Sequence, residues 1–220
     1  LLGSLLLDGG CGKKVAAPTS SHFCSAERQF RFPLEYGSVR TPTSQWTVTG
    51  AGALILADKG PGPYVTCVTP GRIVDAGITD SNNMGAAMAP AACDTLAAHF
   101  SDTGRAPSYY DAVITGDLGL LGRDIVRELM GMQGFDLGPA YTDCGVLIYD
   151  AAAQDAKAGG SGCGCSASVL AGHIPRCPRE GVWKRVLFAA TGALMSPTTT
   201  LQGESIPGIC HALALENVRC

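Results

Sequence analysis

The sequence predicts an α/β fold built on a mixed sheet with helices on both faces. Three observations predict it. From about residue 76 onward, short apolar runs of strand length alternate with segments of helical period. Upstream, strand-like runs separated by Pro-Gly turns read as antiparallel pairs, so the sheet is mixed rather than purely parallel. Finally, 46% of the 220 residues are hydrophobic and only 16% charged, which suits a sizeable buried core and not a disordered chain.

In chain order, residues 1–7 carry five leucines and read as a helix stopped by Gly9 and Gly10. That helix has no initiator Met and no N-cap, so the chain is expected to lack its natural beginning. Lys13-Lys14-Val15-Ala16-Ala17-Pro18 reads as a strand. An irregular stretch, 19–45, follows and carries Glu27, Arg28, Arg31, Glu35 and Arg40. Residues 46–57 read as a buried strand entered by a glycine bend, with 64–69 as its hairpin partner across the Pro61-Gly62 turn. Asp80-Ser81-Asn82-Asn83 can cap a helix through Met84, Met88, Ala92, Leu96 and Phe100. Residues 112–115 are a short strand. Leu118, Leu121, Ile125, Leu129 and Met132 then form a stripe at helical spacing, with Arg123, Asp124, Arg127 and Glu128 opposite, and the stripe reads as core. Residues 146–149 read as a strand. The glycine-rich loop 158–167 opens a helix ending near Pro175, and 185–190 and 208–215 supply the last two strands.

Composition excludes several function classes. A formal charge of -3 and a pI near 5.8 argue against nucleic acid as a partner, because phosphate binding needs a basic footprint. The ten cysteines mostly sit in apolar or glycine-rich segments and read as small core residues of a reducing compartment, not as a disulfide framework. Cys163-x-Cys165 lacks the matching second pair of a zinc site, so neither metal nor cofactor is expected. No signal peptide is visible, and no window reaches the ~18 apolar residues of a spanning helix, so membrane association would be peripheral.

The most informative stretch is Ala158-Gly159-Gly160-Ser161-Gly162-Cys163-Gly164-Cys165-Ser166-Ala167. Backbone N–H groups at a helix start can hold an anion. Glycines there also admit close approach of a ligand or a neighbouring chain. A cysteine there could be an activated nucleophile, or Cys163 and Cys165 could simply pack. Gly116-x-x-Gly119-x-x-Gly122 lacks the Lys-Ser/Thr of a phosphate loop and is set aside. Of the histidines, His22 in its Ser-rich turn is a pocket candidate. His99 reads as an ordinary helix-face residue, His173 as a helix-end residue and His211 as a core histidine in a strand. Asp75, Asp80 and Asp143 show no general acid/base spacing.

Several segments resemble the stage V sporulation protein AD family. They are Thr19-Ser20-Ser21-His22-Phe23, Ala26-Glu27-Arg28-Gln29-Phe30-Arg31, residues 45–53 and Asn82-Asn83-Met84-Gly85-Ala86-Ala87-Met88-Ala89-Pro90. Thr115-Gly116-Asp117-Leu118-Gly119, residues 159–167 and residues 190–197 complete the set, which spans nearly all of the chain. The resemblance implies a thiolase-like, layered α-β-α-β-α fold of two similar halves with two central helices between the sheets. Residues 1–75 would be the remainder of an incomplete first half and 76–220 the second half. It also implies binding of dipicolinic acid (pyridine-2,6-dicarboxylate), free or as its calcium chelate. Uptake into developing spores would occur beside the membrane proteins of the same operon, at the periphery of the inner spore membrane. Proteins of this fold pair an edge strand across a two-fold axis, so residues 14–18 are the expected homodimer edge.

Thiolase-like folds usually host acyl transfer, and the sequence departs from that chemistry. Condensing enzymes place a His in the turn where this chain has Thr115-Gly116-Asp117-Leu118-Gly119. They place an Asn where it has Gly160-Ser161-Gly162-Cys163-Gly164-Cys165. Asp117 could donate to an oxyanion only if protonated, and losing even one such donor costs a factor of about 10²–10³. No catalytic residue is therefore assigned. The ligand-binding candidates are Ser20, His22, Asp117, Ser161, Gly162 and Cys163. The N–H groups of 161–165 would take one carboxylate, and Arg28, Arg31 or Arg40 the other. Two alternatives stand beside this reading: a condensing enzyme using a cysteine upstream of Leu1, and a scaffold with a vestigial pocket that docks onto membrane partners.

Overall fold

The structure is a computed structural model that describes residues 1–22, 41–150, 153–174 and 182–217. Its N-terminal part holds α1 (Leu2–Asp8), β1 (Lys14–Ser21), β2 (Trp46–Thr47) and β3 (Gly50–Ala57). Next come β4 (Tyr64–Thr69), β5 (Ile73–Val74), α2 (Met84–Thr103), β6 (Ala112–Thr115) and α3 (Gly119–Met132). The remainder is β7 (Tyr141–Asp143), α4 (Cys144–Leu147), β8 (Gly160–Ser161), α5 (Cys163–Gly172), β9 (Arg185–Ala193), α6 (Pro197–Leu201) and β10 (Gly208–Glu216).

One six-stranded sheet has the order β4-β10-β9-β6-β7, with β5 beside β10. Strands β6, β7 and β9 are parallel, while β10 runs antiparallel to β9 and to β4. The mixed sheet is thus present, and its two faces carry two cores. Helices α2 and α3 cover one face, burying Met88, Leu96, Phe100, Val126 and Met130 against Val113, Leu187 and Ala212. On the other face, Cys165 and Val169 of α5 pack with Ile114, Val186 and Phe188. Strand β6 is buried at all four positions because it lies between these layers.

Helix α2 begins where the Asx-rich signal places it: the Asn83 side chain accepts the Ala86 N–H at 3.2 Å. It ends at Gly104 in the left-handed conformation (φ 65°), which glycine adopts without penalty. In α3 the buried line is Leu118, Gly122, Val126 and Met130, with Ile125 and Leu129 beside it. Met132, expected in the core stripe, is 73% exposed because it lies on the far side of the last turn.

Two expectations are corrected. The run 46–57 is two strands, not one, and it forms no hairpin with 64–69. Strand β3 pairs antiparallel with β1 over its whole length, Lys14 opposite Ala57 and Ser21 opposite Gly50. The connection 58–63 then carries the chain to the larger sheet, where β4 pairs with β10. Residues 146–149 are not a strand either. The Asp143 side chain accepts the Gly145 N–H at 2.8 Å and starts the helical turn α4, so the apolar run belongs to a capped turn and its exit.

The β1–β3 ribbon lies on α5. A Cβ on Gly52 would overlap the Ala167 carbonyl, so this crossing requires glycine. The ribbon's other face is open: Ala16, Pro18, Ala51, Ala53 and Ala57 are exposed, and Ile55 is 75% exposed. Among the described residues no helix is long and apolar enough to cross a membrane.

Candidate functional site around the start of helix α5

The parallel strands β6 and β7 end beside the start of α5, and that junction gathers most of the candidate residues. Gly162 is the N-cap, with φ 95°, which an L side chain rarely adopts. Its N–H donates to Asp117 Oδ2 at 2.8 Å, and the Ser161 hydroxyl lies 3.4 Å from the same oxygen. Thr191 of β9 closes the other side. Its hydroxyl donates to Asp117 Oδ1 at 2.8 Å and accepts the Asp117 N–H at 3.0 Å. Gln45, just before β2, donates from Nε2 to the carbonyls of Asp117 (2.8 Å) and Gly160 (2.9 Å). The Asp117 carboxylate is therefore held by a helix start and two strands, and the residue is only 5% exposed.

A second donor of the same helix start is also engaged. The Gly164 N–H donates to Ser21 Oγ at 2.9 Å, and that hydroxyl donates to the Val48 carbonyl at 2.6 Å. Ser20 and Ser21 are the last residues of β1 rather than part of a turn after it, so Ser21 faces α5 while Ser20 is exposed. Cys163, the first residue of α5, is exposed and donates from Sγ to the Ser20 carbonyl at 3.0 Å. His22 follows β1 directly and is exposed. The structure thus brings Asp117, Ser161 and Gly162 together inside, and Ser20 and Cys163 together at the rim with His22 nearby in sequence. Arg28, Arg31, Arg40, Glu27 and Glu35 lie outside the described residues.

This geometry revises the anion reading. The N–H groups of Gly162 and Gly164, expected to meet a ligand carboxylate, already meet Asp117 and Ser21. A helix start with its own buried carboxylate is stabilised electrostatically and needs no outside anion. Chemically the interior is a positioning frame, and the rim presents a thiol, a hydroxyl and an imidazole to solvent.

Next to Asp117 lies a carboxylate that sequence spacing alone leaves without a role. Asp143, fully buried, accepts from the Thr115 hydroxyl (2.7 Å) and from the N–H groups of Leu118 (3.0 Å), Gly119 (2.8 Å) and Gly145 (2.8 Å). Burial pushes its carboxyl up to about 7, while Thr115 and the backbone donors pull the other way. The signal for it was Asp143-Cys144-Gly145, a helix-cap pattern inside a run read for strands. Burial also raises the thiols of Cys144 and Cys165, which makes both poor nucleophiles.

His99 is also corrected. It is fully buried, with Nδ1 at 2.7 Å from Thr69 Oγ1 and Nε2 at 2.6 Å from the Tyr110 hydroxyl. His211 is partly buried and its Nδ1 accepts the Gly71 N–H at 3.0 Å, while His173 stacks edge-on with Trp183. Seven described cysteines are unpaired. Among the described residues no group of three or more His, Cys, Asp or Glu side chains could hold a metal ion.

With this geometry in hand, similarity to known proteins is informative. A family profile described as stage V sporulation protein AD matches residues 1–216. The stage V sporulation protein AD of Bacillus subtilis (strain 168) is 47% identical over 213 residues, covering 97% of this chain. The chain spans 63% of that relative's length. Among solved structures, the tetronic acid condensing enzyme AbyA1 shares the fold with a TM-score of 0.53 at 14% identity, covering 98% of this chain and 63% of that one. A 3-oxoacyl-(acyl carrier protein) synthase III from Pseudomonas aeruginosa PAO1 gives 0.55 at 12% identity, covering 98% and 62%. At such identities the likeness bears on the fold alone, and the fold is thiolase-like.

Proposed function

The chain belongs to the stage V sporulation protein AD family, and from that premise we propose that it is a non-catalytic binding protein for dipicolinic acid in developing spores. The observation that carries the non-catalytic part is the engagement of Asp117. It stands in the turn where condensing enzymes carry a His, yet its carboxylate accepts from Gly162 and Thr191 and is buried. A carboxylate so held is an acceptor and cannot donate to a developing oxyanion. No Asn follows in Gly160-Ser161-Gly162-Cys163 to replace that donor.

On this reading the ligand meets the rim formed by Ser20, His22 and Cys163, while Asp117, Ser161 and Gly162 hold that rim in place. A planar dianion needs cationic partners for its second carboxylate, and Arg28, Arg31 and Arg40 are the candidates. The calcium chelate would present less charge to the neighbouring Asp117. The protein works peripherally at the inner spore membrane, beside membrane proteins of its operon, and pairs as a homodimer through the edge of β1. Among the described residues β1 pairs only with β3, which leaves its other edge for a second copy.

Calorimetric titration of the full-length protein with dipicolinate, with and without calcium, tests the reading. A saturable, stoichiometric heat is expected. Absence of heat in both titrations, or an acyl adduct found by mass spectrometry after incubation with an acyl thioester, would overturn it.

A further inference from the structure

Two buried carboxylates organise three helix starts in this molecule. Asp143 accepts from Leu118 and Gly119 at the start of α3 and from Gly145 in the first turn of α4. Asp117, one residue before Leu118, accepts from Gly162 at the start of α5. Each carboxylate also takes the hydroxyl of a strand threonine, Thr115 for Asp143 and Thr191 for Asp117. The turn 116–119 is thus pinned from both sides, and the Asp117 contact to α5 depends on where Asp143 holds Leu118.

We propose that Asp143 is the positioning residue of the rim site, and that loss of its charge loosens the 116–119 turn and, through Asp117, the start of α5. The inference rests on the preceding reading only in placing the ligand at that rim.

The charge of Asp143 is poised by its surroundings. The titratable groups that face it are Asp117, Tyr141, Cys144 and Cys165, and none of these carries a positive charge. Among the described residues, only the Thr115 hydroxyl and backbone N–H groups favour the ionised form. Each oxygen of Asp143 already has two donors, Thr115 and Leu118 on Oδ2, Gly119 and Gly145 on Oδ1. A proton on Oδ1 turns an acceptor toward two N–H groups into a donor, and at least one of those bonds is lost. A proton on Oδ2 costs the Leu118 bond unless Thr115 turns to accept it. Proton uptake on Oδ1, or on Oδ2 with Thr115 still donating, therefore frees part of the 116–119 turn or of α4.

Residue-resolved amide exchange, expressed as protection factors from pH 6 to pH 8.5, tests this on the full chain. In the wild type, protection at Leu118, Gly119 and Gly162 is expected to fall as pH drops through the titration of Asp143, by roughly tenfold at Gly162. Amides of β10 report global opening and should move the opposite way, their protection falling as pH rises, which separates the local response from the global one. Asp143→Asn should hold all three low at every pH. Thr115→Val keeps the carboxylate but removes a donor to its ionised form, so the transition should move to higher pH, and this variant carries the test if Asp143→Asn does not fold. Constant protection at Gly162 in the wild type and in Thr115→Val would overturn the proposal and leave Asp143 a local cap. Dipicolinate titrations at pH 6 and pH 8 separate the two readings. An exchange response without binding sinks the ligand and leaves the clamp, and binding without an exchange response does the reverse.

Discussion

Two buried polar networks brace the larger sheet, and they solve the same problem differently. Around Asp117 and Asp143, anions are satisfied by backbone N–H groups at helix starts and by threonine hydroxyls. Between α2 and strands β4 and β10 the central group is a neutral imidazole. Arg105 Nη1 donates to the Tyr110 hydroxyl at 3.3 Å, and that hydroxyl lies 2.6 Å from His99 Nε2. His99 Nδ1 lies 2.7 Å from Thr69 Oγ1, so both ring nitrogens are hydrogen-bonded to hydroxyls. Arg105 also meets Glu216 at 3.1 Å, and Thr66 and Tyr109 donate to the same carboxylate at 2.7 and 3.2 Å. The lesson is that burial moves the two central groups in opposite directions: Asp143 is raised to about 7 and His99 lowered to about 4.

Replacing the centre of each network should break the comparison most severely. Asp143→Ala leaves three N–H groups without their acceptor and is expected to cost on the order of 4 kcal/mol in urea unfolding. His99→Leu keeps the volume but strands the hydroxyls of Thr69 and Tyr110, for about 2–3 kcal/mol.

The pH dependence sharpens the contrast. Between about 4 and 7 the folded chain holds a proton on Asp143 that the unfolded chain, with its carboxyl near 3.8, releases. Asp143 therefore makes stability fall as pH rises through that window. Between about 4 and 6.5 the unfolded chain binds a proton on its histidine that folded His99 refuses, so His99 makes stability rise with pH. The two slopes oppose each other below pH 6.5. Subtracting wild-type stabilities from those of Asp143→Asn at pH 4.5, 5.5 and 6.5 should give a difference rising by roughly 1.4 kcal/mol per unit. His99→Gln should give a difference falling by a similar amount, and slopes of the same sign in both variants would refute the contrast.

Smaller effects belong to the margins of each network. Thr191→Val removes one donor to Asp117 and should cost about 1–2 kcal/mol, read as a shifted denaturation midpoint. Arg185 sits 4.4 Å over the Tyr109 ring, and Arg185→Ala should cost about 0.5 kcal/mol, near the limit of that measurement.

How much of this was legible follows from sequence distance. Helix α2 was legible because its Asx cap and its 3.6-residue period lie within one window, and β9 and β10 because they are long apolar runs bounded by turns. The ribbon was misread because pairing β1 with β3 spans the 23–45 stretch, whereas 46–57 and 64–69 are neighbours across a Pro-Gly turn that mimics a hairpin. At the site, Asp117, Ser161 and Gly162 were singled out by the glycine pattern, but as ligand donors rather than as one another's partners. Asp143 and His99 were read as unremarkable, and Gln45 and Thr191 were given no role, because most partners that define them come from other elements, often tens of residues away. Asp143 alone carried a local mark, its cap pattern with Gly145.

The glycine contact between β3 and α5 has a kinetic corollary. A lone pair of strands is marginal in water, and this pair leans on a helix whose first residue, Cys163, comes more than a hundred positions after the last residue of β3. Closing so long a loop is slow, and until it closes the ribbon has nothing to rest on. The β1–β3 ribbon should thus be among the last parts to assemble, although its strands are synthesised well before α5.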